Sequence, residues 1–265
     1  MAGGGIAGVA CARELRAHGF EVEVRDRGRM IGGRMASRWV DGRIVDAGAS
    51  YFTASSPEFL AVVDDWMTRG MAREWTRRFP VIDGPSGRMT EGEPGPVRYA
   101  TPGGLRSLVV DLAARGGVRV LHSSPVRLVT PGPAVDGEQV DAVVLAMPDP
   151  QALALLHPAF EAERAVLAGR EWTPALALLA GWRSRCWAPV DGAFVNGDDT
   201  ITWIADDGRR RGDNAPVLVA HSTAEFAAAR LADPAAAAPE LVRRVRRLLG
   251  IPADPEWTYV QPWRF

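Results

Sequence analysis

Apolar and polar positions in the first fifty residues fall into a loop, helix, strand order. Ile6 to His18 carries small and apolar residues at helical spacing, with Gly19 as its stop. Glu21 to Arg25 alternates as a strand and ends on Asp26. Arg29 to Arg38 is a glycine- and arginine-rich connection, and Val40 to Gly48 reads as a short hairpin. A helix is predicted over Pro57 to Gly70, with Phe59, Val62, Val63 and Trp66 on one face. Pro80 to Pro102 is rich in proline and glycine and predicts a long loop. Gly103 to Arg115 is helical, and Val118 to Leu121 and Val126 to Thr130 are strands. Asp141 to Ala146 is a continuous apolar run, the pattern of a parallel strand buried on both faces. A helix over Pro150 to Leu156 follows.

The pattern changes in the second half. Ala175 to Trp182, Ala193 to Val195, Thr200 to Ala205 and Val217 to His221 are strands split by turn residues such as Asn196-Gly197 and Asp207-Gly208. Sequential strands with short turns predict an antiparallel sheet. Helices at Ala224 to Leu231 and Pro239 to Leu249 and a strand at Trp257 to Val260 complete the chain. No internal repeat is present. A parallel nucleotide-binding half interleaved with an antiparallel half is expected, with ligands where the two meet.

Composition narrows the class. The 265 residues are 47% hydrophobic and 24% charged, ordinary for a folded domain or two intimate ones. A formal net charge of −1 gives no footprint for nucleic acid or an anionic membrane. Every fixed side-chain cation is arginine, which codon bias in a GC-rich genome explains. No run reaches the length of a membrane span and no signal peptide opens the chain, so a cytoplasmic location is expected. The two cysteines, Cys11 and Cys186, form no paired motif, and no His/Cys cluster has metal spacing.

The chemistry begins at Gly3-Gly4-Gly5-Ile6-Ala7-Gly8, which fits G-x-G-x-x-G. In a dinucleotide-binding unit the first glycine permits the tight turn and the second admits the pyrophosphate. The third lets helix and strand pack, and the helix N-terminus faces the phosphates. Asp26 lies 18 residues after Gly8, close to the ~20 expected of the acid that holds a ribose hydroxyl. Only Met1 and Ala2 precede the loop, so the strand that should enter it is expected to be absent or supplied by another segment.

Further motifs follow: Gly32-Gly33-Arg34, Asp46-Ala47-Gly48-Ala49-Ser50-Tyr51-Phe52, Thr101-Pro102-Gly103-Gly104-Leu105, Val143 to Pro148, Thr202-Trp203-Ile204-Ala205, and Trp257-x-Tyr259-x-x-Pro262. Together they resemble the FAD-dependent amine-oxidase superfamily, and within it the renalase-like bacterial oxidoreductases. The resemblance implies an α/β fold: a Rossmann-type FAD-binding domain with a parallel sheet over 1–50 and 101–150, interleaved with an α+β substrate domain on an antiparallel sheet over 51–100 and 151–265. It implies FAD as cofactor, held by Gly3, Gly5, Ile6, Ala7, Gly8, Asp26, Arg27, Gly33, Arg34, Gly48 and Ala49, with Val126 beside the adenine. Two glycines let backbone lie against a cofactor, and an arginine offers forked donors to a pyrophosphate. The family commonly has Gln where Ser50 stands, and it continues beyond Phe265, so a chain shortened at both ends, with weakened FAD affinity, is expected.

The resemblance further implies hydride transfer from a small reduced organic molecule, a reduced nicotinamide or an amine, to flavin, with oxygen or another acceptor reoxidising it. Ser50, Tyr51, Phe52 and Trp203, with Trp182, are candidates for the substrate wall. His221 is the best histidine for an acid/base or anchoring role. Arg209-Arg210-Arg211 reads as a solvated hairpin tip, or as a site for an anionic substrate group. Two other readings remain: an NAD(P)-dependent dehydrogenase, in which Arg25 and Arg27 beside Asp26 accept a 2′-phosphate, and a non-catalytic remnant of a flavin fold.

Overall fold

The computed structural model describes residues 1–265 and comprises two compact units. One is Met1–Ala36 with Arg106–Trp172 and Phe265; the other is Ser37–Leu105 with Thr173–Arg264. No helix is long and apolar enough to cross a membrane.

In the first unit the helix Ile6–Ala17 leads from the glycine loop and the strand Glu23–Arg25 follows it. That strand pairs in parallel with Arg119–Leu121. Val9 and Ala12 of the first helix and Leu108, Val109 and Leu112 of the helix Arg106–Arg115 are buried. The place of the entering strand is taken by the chain's own first residues. Ala2 bridges in parallel to both Arg25 and Leu145, its N–H donating to the Val144 carbonyl at 2.9 Å while Gly3 donates to Arg25 at 2.9 Å. No other segment fills that position.

Two expectations in this unit are corrected. The run Asp141–Ala146 is not a strand buried on both faces: it pairs at Leu145, and Val144 is 36% exposed. The strand expected from Val126 begins at Val129 and joins a small antiparallel sheet with Ala134–Val135 and Glu138–Gln139. Before it, Asp136 Oδ1 accepts from the N–H groups of Arg127 and Leu128, both at 2.9 Å. A side chain thus satisfies donors that a strand would have paired. Val126 is therefore half-buried loop. The helix Asp149–Leu155 matches its expectation, and the helix Glu161–Ala168 was not legible in the pattern.

The second unit is built on a seven-stranded sheet. Its order is Trp257–Trp263, Ala175–Gly181, Val217–Ser222, Ile201–Asp206, Gly192–Asn196, Val81–Asp83, Met89–Thr90. All neighbours are antiparallel except Gly192–Asn196 with Val81–Asp83. The segment Pro80–Pro102 is thus no bare loop: it supplies the last two strands of this sheet and Arg98–Ala100, which pairs with Arg73–Thr76. Strands of two or three residues are too short to show a period. One face of the sheet packs Leu176, Leu178, Ile204 and Leu218 with Leu241, Val245 and Leu248 of the helix Ala238–Leu249. The other packs Ala177, Leu179, Val217 and Val219 with Val45 of the hairpin Ser37–Val40/Arg43–Asp46 and with Ala47 just after it.

Candidate functional site

The glycine loop in the first unit is shaped by the absence of side chains. Gly3 has φ +105°, and a Cβ there would sit 2.5 Å from the Ala146 carbonyl oxygen. A Cβ on Gly8 would collide with the Gly3 carbonyl oxygen. Over Gly5 the nearest atom to a Cβ is the Gly33 Cα at 3.9 Å, so space is left above the loop. The helix that starts at half-buried Ile6 and exposed Ala7 has no side-chain cap at Gly5 and no acid in its first turn. Its amide end therefore suits an anion.

Around this loop the chain closes on itself. Asp26 accepts from the Gly4 N–H through Oδ2 at 2.6 Å and from the Gly28 N–H through Oδ1 at 2.7 Å. Gly32, at φ +129°, donates to the Gly4 carbonyl at 2.8 Å, and Gly5 bridges to Gly32. Arg34 follows on the single turn Gly33–Met35, exposed, with its guanidinium 5.4 Å from the Trp172 ring centroid. No carboxylate pairs with it. Gly3, Gly5, Gly8, Asp26, Gly33 and Arg34 are thus brought together, whereas Arg27 is exposed and Val126 stands on a separate loop. Amide donors, open space over Gly5 and an unpaired arginine fit the diphosphate of a dinucleotide.

The second unit holds a buried ion cluster that sequence reasoning missed. Arg209–Arg211 is not a solvated hairpin tip. Asp207–Arg211 is a short helix capped by Asp206, whose Oδ1 accepts from the Arg209 N–H at 2.9 Å. Helical spacing folds Arg210 and Arg211 back onto Asp207. Gly208 suggested a turn, but its role is close approach: a Cβ there would collide with the Ala215 backbone. Asp207 is 0%, Arg210 1% and Asp46 1% exposed. Arg210 Nη1 lies 3.1 Å from Asp46 Oδ2, and Arg43 Nη2 2.5 Å from Asp207 Oδ2. Burial alone would raise the Asp207 carboxyl, but Arg210, Arg211 and Arg43 outweigh it and hold its pKa below the usual range. Burial would likewise lower Arg210, and Asp207 and Asp46 reverse this and raise it. Arg209 alone is outward, pairing with Asp191 at 3.0 Å.

The cluster grips the segment Asp46–Tyr51. Asp46 accepts from Ser37 Oγ at 2.5 Å and from the Leu105 N–H at 3.0 Å. Arg210 donates to the Ser50 carbonyl and Arg211 to the Pro102 carbonyl, both at 2.9 Å. The Trp203 indole N–H donates to Ser50 Oγ at 3.0 Å. The Tyr51 ring lies 5.9 Å from Trp203 and 5.4 Å from Phe79, which meets Trp203 at 4.7 Å. Gly48 is buried and Ala49 half-buried on this segment.

Phe52 leaves this group: it stacks on Tyr99 at 5.3 Å and meets Trp66 edge-on. Trp182 packs with Trp187 in the main core. His221 stands opposite Trp203 in the ladder. Burial first, then Arg210, lowers its pKa to about 4, opposed by a hydrogen bond with the Gly48 backbone. Its Nε2 is buried without a partner. Burial thus favours the neutral form of the ring.

The loop and its acid define a dinucleotide-binding protein whose first 66 residues carry the fingerprint. Residues 2–66 match the NAD(P)-binding Rossmann-like domain, and residues 82–264 match the flavin containing amine oxidoreductases. The second match covers most of the chain, which therefore belongs to the flavin containing amine oxidoreductase family, with FAD as its cofactor. A 65-residue stretch is 34% identical to protoporphyrinogen oxidase 2, chloroplastic/mitochondrial, of Arabidopsis thaliana, covering 24% of this chain and 13% of that protein. Wild-type putrescine oxidase bound to putrescine superposes with a TM-score of 0.74 at 15% identity, over 98% of this chain and 83% of that one. Reduced UDP-galactopyranose mutase superposes at 0.79 and 11% identity, over 99% and 80%. At these identities the superpositions show the fold.

Proposed function

We propose that the chain is a FAD-dependent oxidoreductase of amine-oxidase type, acting on a small reduced organic substrate in the renalase-like manner, with molecular oxygen as an acceptor. The observation that carries this reading is the loop at Gly3–Gly8, open above Gly5 and flanked by the unpaired Arg34. FAD, when bound, accepts hydride from the substrate and passes its electrons on. The amides from Gly5 to Gly8 face the diphosphate, and Arg34 offers it a fork of donors. Asp26 ties Gly4 and Gly28 with one lone pair on each oxygen, leaving others for a ribose hydroxyl. Val126 offers backbone beside the adenine, and Arg27 borders the ribose. Ser50, Tyr51 and Trp203 form the substrate wall, and Phe52 supports it from the core behind. His221 anchors through a neutral ring. Neither a nicotinamide-dependent dehydrogenase nor a non-catalytic remnant gains support from the family match.

The test is a titration of the purified chain with FAD, followed by visible absorbance. Saturable binding is expected, with the bound flavin bleached by a reduced nicotinamide or an amine without air. Arg34→Ala should weaken FAD by about 1.5–3 kcal/mol. A chain that leaves FAD free sinks the reading; unaltered affinity in the variant removes Arg34 from it.

A further inference from the structure

Arg98 differs from the other half-buried arginines of the second unit. It lies opposite Thr76 where the ladder of Arg73–Thr76 with Arg98–Ala100 shifts register at Trp75. Its guanidinium carbon is 4.6 Å from the Phe79 ring centroid and 5.8 Å from that of Tyr51. Nη1 donates to the Arg77 carbonyl at 2.7 Å. Nε is buried with no acceptor, and no carboxylate lies within ion-pair distance of the group. Nε and Nη2 together form the side-on edge with which arginine takes both oxygens of a carboxylate.

The irregularity at Trp75 adds a second donor. Trp75 Nε1 is also buried without an acceptor, and its ring lies 6.3 Å from Tyr51 and 5.0 Å from Phe79. Buried N–H groups without partners are uncommon in folded proteins, and each calls for an explanation. Bulges recur beside functional sites because they re-aim a side chain. Here two unsatisfied donors, one on the bulged residue and one on the rung after it, flank the half-exposed ring of Tyr51.

We propose that the Nε–Nη2 edge of Arg98 and the indole N–H of Trp75 receive a carboxylate carried by a planar, unsaturated substrate whose ring lies against Tyr51. This rests on the reading of Ser50, Tyr51 and Trp203 as the substrate wall. A protonated amine meets the opposite environment there: a guanidinium, two N–H donors and no paired carboxylate. The substrate class is thus anionic at this end, unlike the diamine in the putrescine oxidase complex.

The probe is benzoate, with benzylammonium as its cationic counterpart of similar size. Calorimetry on the full chain, with and without FAD, gives the affinities. The indole ¹⁵N–¹H resonance of Trp75 gives the location. Benzoate should bind and shift that resonance, and benzylammonium should do neither. Arg98→Ala should weaken benzoate at least about tenfold, the loss of a charge-assisted bidentate contact, and Arg98→Lys should fall between. Trp75→Phe keeps the ring and should weaken benzoate several-fold by calorimetry. Should Arg98→Ala not fold, Arg98→Lys and Trp75→Phe carry the test. The inference is overturned if benzoate leaves Trp75 unmoved, if benzylammonium binds as tightly, or if the variants bind benzoate unchanged. The FAD titration reports separately: benzoate bound at Trp75 in a chain that refuses FAD supports this site while the flavin reading falls.

Discussion

The glycine loop of the first unit and the ion cluster of the second both hold a segment of chain in a set shape, by opposite means. The loop does it by leaving side chains out. Gly3 and Gly8 bring backbone against backbone, and Gly5 leaves open space at a helix end with no side-chain cap. The cluster does it by burying charge. Asp46, Asp207, Arg43, Arg210 and Arg211 pair with one another, and Arg210 and Arg211 clamp the carbonyls of Ser50 and Pro102. The first arrangement excludes side chains at Gly3 and Gly8, and at Gly3 it also needs a positive φ. The second tolerates no unpaired member, because a lone buried ion is far costlier than the paired set.

Substitution separates the two. Arg210→Met should have the largest effect, a loss of about 3–5 kcal/mol in urea unfolding, since Asp207 and Asp46 then share too little positive charge. A change below about 1 kcal/mol would mean the cluster is solvated in solution. Gly8→Ala comes next, with about 1–3 kcal/mol lost to the collision with Gly3. Gly5→Ala has room and should leave stability nearly unchanged while lowering FAD affinity. If the two alanine variants behave alike, the open space above Gly5 is not what the loop provides.

The last test concerns the burial of His221. His221 stays neutral in the folded chain down to about pH 4, whereas in the unfolded chain it protonates near the ordinary 6.5. Between those values the unfolded state binds more protons. This part of the stability is therefore present above about 6.5 and lost as pH falls toward 4. His221→Gln should flatten that decline, which for a shift from 6.5 to about 4 amounts to at most about 3 kcal/mol. Identical slopes in the two proteins would show that the ring titrates normally.

Legibility followed the same division. The helix after the glycine loop, the strand ending at Asp26 and the antiparallel strands after Ala175 were readable because each is written in neighbouring residues. The short strands inside Pro80–Pro102 were not, since Val81–Asp83 and Met89–Thr90 are too short to show alternation. Val126 was misplaced because the Asp136 side chain displaces the expected ladder. Ser50, Tyr51 and Trp203 were singled out and do come together. Phe52, one residue on, was expected beside them and turns into a different aromatic stack.

By itself, then, the amino-acid sequence determined the dinucleotide fingerprint, the α/β class and the change to an antiparallel half. Those features depend on local spacing, where the order of glycines and apolar residues acts directly on the backbone. Tertiary structure alone decided that Ala2 takes the central strand position, that Arg210 and Arg211 turn inward, and that Arg98 and Trp75 flank Tyr51 with unsatisfied donors. A charged side chain is solvated or buried according to partners far away in the sequence, and no spacing rule records where those partners will be once the sheet has formed.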